Sequence, residues 1–289
     1  MTGISDIIPQ IIINSLIAGS VYSIIVLGYN LIFTTARFFD VGVGGMTVVG
    51  GYSVFFLLNH SELGLIPSIL IALIFTGLVG YKINKLIYKR LRKQKATSLV
   101  MLIASLGVLT VIQAIIAMIF TSQFQSLGYV STSYEIKGAA ITDLQIWTIV
   151  LGILLPLVTI LFLKFTPFGK AVKAVSDDEE VAKIVGINTE KIIGAIFFLG
   201  SAIAALCGIM VGLDTGMEPT IGFGLLLYAI IASIIGGIGN IVGGILGAYF
   251  LGFIENFGIL YIGSEWKVAI AYTLLILFLL FRPQGILKR

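Results

Sequence analysis

The chain has 289 residues, of which 58% are hydrophobic and 11% are charged, and its mean hydropathy is +1.10. A soluble domain carries about 25% charged residues, so the composition excludes an ordinary soluble protein and indicates an integral membrane protein. In a soluble protein, the net charge of +4 would be compatible with binding to nucleic acid. In a chain this apolar, the basic excess instead reports orientation in the membrane, and no nucleic-acid partner is expected.

Several kinds of chemistry are also excluded. Cys207 is the single cysteine and His60 the single histidine, so we expect neither an intrachain disulfide nor a metal site. The sequence has no clustered catalytic groups and no Gly-x-x-x-x-Gly-Lys-[Ser/Thr] nucleotide loop. The chain is therefore not predicted to be an enzyme and does not hydrolyse ATP itself.

Long apolar runs predict an all-α polytopic membrane protein in which residues 1–289 form a single transmembrane domain. In chain order the predicted helical segments are 7–34, 40–58, 65–81, 97–121, 144–163, 192–213, 223–235, 241–258 and 266–281. The segment 223–235 covers only about 20 Å at 1.5 Å per residue. Since the apolar core of a bilayer is about 30 Å thick, we predict that this segment is part of a broken helix.

The orientation follows from the basic residues. Seven cations and no acid stand between Lys82 and Lys95, and the segment 164–191 and the tail Arg282–Arg289 hold eight more of the 18 Lys and Arg residues. Short loops rich in Lys and Arg stay in the cytoplasm. We therefore predict a multi-pass protein of a prokaryotic plasma membrane with its N-terminus outside and its C-terminus in the cytoplasm.

Two helical hairpins turn on glycine clusters, which together suggest a weak internal repeat. Glycine permits the turn dihedrals and the close approach of backbones, and paired helix breaks in corresponding halves of a transporter point to its pathway. Close helix packing is the alternative, and we favour packing for Gly208-xxx-Gly212. The residues predicted to line a translocation path are Asp40, Gly42, Gly44, Gly45, Gly236, Gly237, Gly239 and Asn240.

The segment 164–191 is a charged island between two apolar segments. Ser176 or Asp177 is predicted to cap a short helix over 178–185, with Glu179 or Glu180 reaching back, and Gly186 to end that helix in a left-handed conformation. An apolar strip on this helix would enter a groove of a soluble partner. The residues predicted to make this coupling contact are Gly169, Lys170, Asp177, Asp178, Glu179, Glu180, Val181, Ala182, Ile184 and Gly186.

These motifs carry a family resemblance that covers essentially the whole chain. The island from Phe168 to Asn188, the glycine-rich stretch from Ile235 to Tyr249, the ending from Arg282 to Leu287 and the opening from Gly19 to Asn30 resemble the permease subunits of branched-chain amino acid type ABC importers. The island looks like the cytoplasmic coupling segment of that family.

The resemblance implies a set of partners. It implies two ATP-binding cassette subunits, which bind ATP and dock on the islands, and a second permease that is either a homologue or a second copy. It also implies an extracytoplasmic solute-binding protein, whereas no cofactor is expected on this chain itself. The implied solute is a branched-chain or other amino acid.

One segment departs from the family pattern. Where the family reads Asn-Phe-Ala-His-Gly-Glu, this chain has Asp40-Val41-Gly42-Val43-Gly44-Gly45, which looks closer to the related sugar permeases. A permease for a sugar, a nucleoside or a urea- or amide-type solute is therefore an open alternative. A second alternative, an ion-coupled carrier, would need buried ionisable residues, for which the candidates are Glu255 and Asp40.

Overall fold

The computed structural model describes residues 4–136, 138–282 and 284–287. Residues Pro283, Lys288 and Arg289 of the predicted cytoplasmic tail lie outside this range. The helices are α1 Ile4–Ala36, α2 Gly42–His60, α3 Leu65–Ile83, α4 Lys89–Lys93, α5 Ser98–Phe120, α6 Asp143–Phe165, α7 Pro167–Asp177, α8 Glu179–Ile184, α9 Thr189–Thr215, α10 Ile221–Gly236, α11 Ile241–Ile262 and α12 Lys267–Phe281.

Eight helical segments in the described part of the chain are long and apolar enough to cross a membrane. The ninth, α10, has 16 residues and extends about 24 Å, less than the thickness of a bilayer core. The polytopic all-α prediction is confirmed, and so is the short helix before the second glycine cluster. The predicted helical segments correspond to α1, α2, α3, α5, α6, α9, α10, α11 and α12.

The core of the bundle lies along α1 and α9. Residues 24–27 of α1 are fully buried, and α1 packs against α6, α9, α10 and α11 while α2 and α3 pack against α9. By contrast, α6 and α12 bury few side chains and present isoleucine, leucine and phenylalanine outward, as expected for surfaces that face lipid.

Two elements differ from the sequence prediction. The basic segment 82–95 is mostly helical, because the π-helical turn Asn84–Tyr88 continues α3 into α4; lysine and arginine are good helix formers, so their charge did not require a loop. In addition, β1 (Ser133–Ile136) and β2 (Ala139–Thr142) form an antiparallel hairpin. This hairpin is held to α1 by Gln10, whose Oε1 accepts a hydrogen bond of 2.8 Å from the Ala140 backbone N–H.

Glycines allow α2 and α9 to pack at backbone distance. A Cβ atom on Gly208 would collide with the backbone carbonyl of Thr47, and one on Gly50 would collide with Ala205. This geometry agrees with the packing role favoured for Gly208. A Cβ atom on Gly212 would likewise overlap the side chain of Met217.

The packing role predicts different effects for two glycine substitutions. Gly208→Ala should destabilise the folded protein by about 1–3 kcal/mol, since overpacking a close contact displaces backbone, and should lower its melting temperature. Gly107→Ala in α5 is the matched control, because a Cβ atom there meets nothing within 4 Å. Thermal melting of both purified variants measures the difference, and equal melting temperatures would contradict the role of Gly208.

Candidate functional site: the coupling segment and the two helix breaks

The coupling segment begins with a helix that the sequence analysis did not predict. Thr166 caps α7 by accepting a 3.1 Å hydrogen bond from the Gly169 N–H, and proline stands in the first turn, where its missing donor is harmless. Val172 and Val175 are buried, while Lys170 is exposed. The segment is therefore an amphipathic helix that lies against the bundle.

Gly169 serves the turn between α6 and α7. It is buried, and a Cβ atom there would overlap the backbone of Leu163. The predicted contact of Gly169 with a partner stays a prediction, whereas its packing against α6 is evident.

The second helix, α8, starts later than predicted. Its cap is Asp178, whose Oδ1 accepts hydrogen bonds from Glu180 N at 2.8 Å and Val181 N at 3.0 Å. The predicted caps, Ser176 and Asp177, are wrong because α7 continues through Asp177. The predicted back-reaching glutamate is wrong for the same reason, since Val181 now occupies the third helical position.

The C-terminal end of α8 confirms the predicted glycine cap. Gly186 has φ of 86°, and its N–H donates to the Lys183 carbonyl at 3.1 Å while the Ile187 N–H donates to the Ala182 carbonyl at 3.0 Å. These two bonds form a Schellman motif, which satisfies the last carbonyl groups of a helix. An i,i+4 ion pair of 2.6 Å between Lys183 and Glu179 adds support.

The apolar strip on α8 is only partly as predicted. Val181, Ile184 and Val185 are exposed by 54%, 83% and 68%, whereas Ala182 is 2% exposed and faces the bundle. We call the three exposed residues the coupling surface. Three adjacent aliphatic side chains on an otherwise charged segment are typical of a protein interaction site.

The first helix break is tied to three parts of the bundle. The Arg37 guanidinium donates to the backbone carbonyl of Ser176 in α7. Asp40 Oδ1 accepts hydrogen bonds from the Tyr88 hydroxyl at 2.8 Å and the Gly42 N–H at 2.9 Å. The Val41 N–H donates to Ser105 Oγ of α5 at 3.0 Å, so that the break contacts the π-helical turn after α3, α5 and α7 together.

The second break is covered by the C-terminal tail. Gly237 and Gly239 have φ of 110° and 78°, which explains the requirement for glycine. The Ile286 N–H donates to the Ile235 carbonyl at 2.8 Å, and the Leu287 N–H donates to the Gly236 carbonyl at 3.1 Å. The tail residues 284–287 thereby satisfy carbonyls that the end of α10 would leave without partners.

Side chains of α1 contact two further carbonyls of this break. Asn30 is fully buried; its Nδ2 donates to the Asn240 carbonyl at 3.3 Å, and its Oδ1 accepts from Ser233 Oγ at 2.6 Å. Thr34 Oγ1 lies 3.1 Å from the Gly239 carbonyl oxygen and 2.6 Å from that of Asn30, so its one hydrogen is shared between them. The sequence analysis missed Asn30, although a polar residue within an apolar span is the signal that identifies such a site.

The predicted path residues occupy close contacts within this chain. A Cβ atom on Gly44 would meet the Gly222 carbonyl, and Gly236 and Gly243 approach each other's backbones in the same way. A cavity of about 560 Å³ between α2, α3 and α5 is lined by none of the eight predicted residues. Their role in lining a pathway stays a prediction.

A multi-pass helical bundle with two covered helix breaks and one amphipathic segment at its end is consistent with a membrane transport subunit. Residues 11–279 match the family described as the permease component of branched-chain amino acid transport systems. The chain belongs to this family. It is a transmembrane permease component, and its family and its spans place it in the membrane as a multi-pass protein.

Individual relatives agree with this assignment. The chain is 31% identical to the high-affinity branched-chain amino acid transport system permease protein BraD of Pseudomonas aeruginosa, over 97% of this chain and 95% of that protein. It is 29% identical to the corresponding protein LivH of Escherichia coli K12, with the same coverage. Among solved structures, PsaBC from Streptococcus pneumoniae in complex with Fab shares the fold with a TM-score of 0.54, at 15% identity, over 94% of this chain and 91% of that one.

Proposed function

We propose that this chain forms the translocation path of an ABC importer for branched-chain amino acids. The observation that carries the proposal is the family match over residues 11–279, together with relatives of 29–31% identity over nearly the full length whose names specify that solute. The coupling surface agrees with it, because a permease without its own nucleotide site needs a place where an ATPase can act.

The proposed assembly contains two ATPase subunits, a second permease subunit and a solute-binding protein. The ATPases hold the ATP and contact the coupling surface of Val181, Ile184 and Val185, which is exposed at 54–83%. The solute-binding protein docks at the opposite end of the bundle, where the β1–β2 hairpin lies. The basic segment 82–95 and α7–α8 share one end, and the positive-inside rule assigns this end to the cytoplasm.

The contacts suggest how movement reaches the helix breaks. Arg37 at the first break holds α7 through the Ser176 carbonyl. Thr34 and Asn30 lie on α1 within two helical turns before Arg37, and their side chains form hydrogen bonds with the second break. The end of α1 is thus bonded to the coupling segment and to both breaks, so a force on α8 acts on one connected unit. Rocking of such units is the usual form of alternating access.

The departure of residues 40–45 from the family pattern has a local explanation. Asp40 Oδ1 accepts hydrogen bonds from the Gly42 N–H and the Tyr88 hydroxyl, and Gly45 packs against Ile112. These contacts hold the helices together, so the substituted segment does not by itself favour a sugar or another solute.

The docking role predicts an effect of charge on the coupling surface. In a complex assembled with its cognate ATPases and binding protein, Ile184→Asp should bury an unpaired carboxylate at the ATPase contact. ATP-driven uptake of leucine into proteoliposomes should fall at least about tenfold, which corresponds to 1.4 kcal/mol. The exposed Lys173→Gln on α7, which is not among the predicted coupling residues, is the control and should leave uptake unchanged.

Two results would reject this account. Uptake of leucine that continues without ATP would indicate an ion-coupled carrier instead. Normal ATP-driven uptake by Ile184→Asp would show that the coupling surface does not contact the ATPase. Folding is not at issue, because Ile184 is 83% exposed and its substitution empties no core position.

The proposed orientation predicts opposite labelling of two exposed serines. In a Cys207→Ala background, Ser133→Cys in β1 should react with a membrane-impermeant thiol reagent in intact cells, because this end faces outside. Ser98→Cys, which follows the basic segment, should react only after the membrane is opened. The reverse pattern would overturn the orientation.

A further inference from the structure

A buried carboxylate lies in the half of the bundle nearer the β1–β2 hairpin. Glu255 on α11 has no exposed surface and stands seven residues before the end of its helix, about 10 Å along the axis. The sequence analysis considered Glu255 only as a coupling residue of a carrier. None of the roles proposed above for the importer involves Glu255.

The two oxygens of this carboxylate have different surroundings. Oε2 accepts a 2.7 Å hydrogen bond from the Tyr22 hydroxyl and stands 3.9 Å from Lys267 Nζ. Oε1 is buried without a hydrogen-bond partner among the described residues. Since buried carboxylates normally fill their acceptor capacity, Glu255 can accept at least one further donor.

Tyrosine rings stand beside the carboxylate. Tyr22, whose hydroxyl donates to Glu255, stacks on Tyr228 with centroids 4.7 Å apart and an interplanar angle of 15°. Tyrosine rings attract cations through their faces. A carboxylate with aromatic neighbours has the composition of a site for an organic ammonium group.

The ammonium group of Lys267 already lies beside the Glu255 carboxylate. Its Nζ is 3.9 Å from Oε2, longer than the roughly 2.8 Å of a close charge-assisted hydrogen bond. Its side chain is 36% exposed, whereas Glu255 is fully enclosed. The lysine therefore approaches from the open side without using the free oxygen, and it can withdraw when another cation arrives.

We propose that Glu255, together with Tyr22 and Tyr228, binds the primary ammonium group of the solute during translocation, and that Lys267 is the exchangeable cation at this site. This inference rests on the proposed function, because it assumes an amino-acid solute. The carboxylate is enclosed in the described conformation, so the ammonium group reaches it only when α10 or α12 moves. Such opening is what alternating access provides.

The first test removes the charge and preserves the shape. Glu255→Gln keeps an acceptor for Tyr22 but loses the attraction for an ammonium group. With saturating leucine-loaded binding protein, the number of leucine molecules imported per ATP hydrolysed should fall at least about tenfold, as for a lost charged hydrogen bond. A purely structural role would lower uptake and ATP hydrolysis together. An unchanged leucine-to-ATP ratio, with or without loss of overall activity, would overturn the proposal.

The second test removes the exchangeable cation. Lys267→Met should keep leucine import per ATP at or above the wild-type level, because the solute no longer competes with the lysine. If Lys267→Met lowers this ratio as far as Glu255→Gln does, the lysine is a required part of the site and not an exchangeable cation, and the proposal is wrong. A requirement of wild-type uptake for Na⁺ that Glu255→Gln abolishes would also overturn it, in favour of a metal cation at the carboxylate.

The wild-type complex separates this inference from the proposed function. If it imports no leucine, the proposed function fails, and the inference that rests on it fails too. If it imports leucine with ATP and the Glu255→Gln variant does so with the same ratio, only the inference fails.

Discussion

The structure depends on one constraint, which is that lipid offers no partner to a backbone N–H or C=O group. Two helices end within the bundle, and each ending would leave carbonyls unsatisfied. At the second break, Asn30 and Thr34 of α1 bind the carbonyls of Asn240 and Gly239, and the tail 284–287 binds those of Ile235 and Gly236. At the first break, Asp40 and Ser105 take the backbone N–H groups of Gly42 and Val41. The breaks are therefore part of the packed core.

The same constraint connects coupling to translocation. Because side chains of α1 bond to the second break and the first break follows directly on the end of α1, neither break moves independently of that helix. Arg37 extends the connection to α7 through the Ser176 carbonyl, and the ion pairs of Glu190 with Lys89 and Arg92 join the start of α9 to the basic end of α3 and α4. A partner that pushes on the coupling surface acts on a bonded frame. Close glycine contacts such as that of Gly208 with Thr47 transmit displacement because they leave no space to absorb it.

Much of this arrangement could be predicted from the sequence. Apolar length determined the spanning helices, glycine clusters marked both breaks, and the left-handed cap at Gly186 followed from local chemistry. The amphipathic helix α7 was missed because its charges suggested a solvated loop, although Val172 and Val175 repeat at helical spacing. The cap at Asp178 was misplaced because a cap depends on where the preceding helix ends.

The partners of the breaks could not be predicted at all, since the contacts of Asn30 with Ser233 and Asn240 join residues about 200 positions apart, and local patterns do not contain such information. The hydrogen bond between Glu255 and Tyr22, which stand 233 positions apart, could not be predicted for the same reason.

The central claim is that the second break is closed by α1 and by the tail, and hydrogen–deuterium exchange of the purified protein tests it most directly. Amides of 233–244 and 284–287 should exchange slowly in the wild type, because they are hydrogen-bonded or enclosed by partners that open only with the bundle. Asn30→Leu should accelerate exchange across 233–244, while Asn59→Leu, at an exposed position whose side chain bonds only within its own helix, should change nothing there. Exchange in wild-type 236–240 as fast as in the exposed loop 121–132 would show that the break is open to water and would contradict the account.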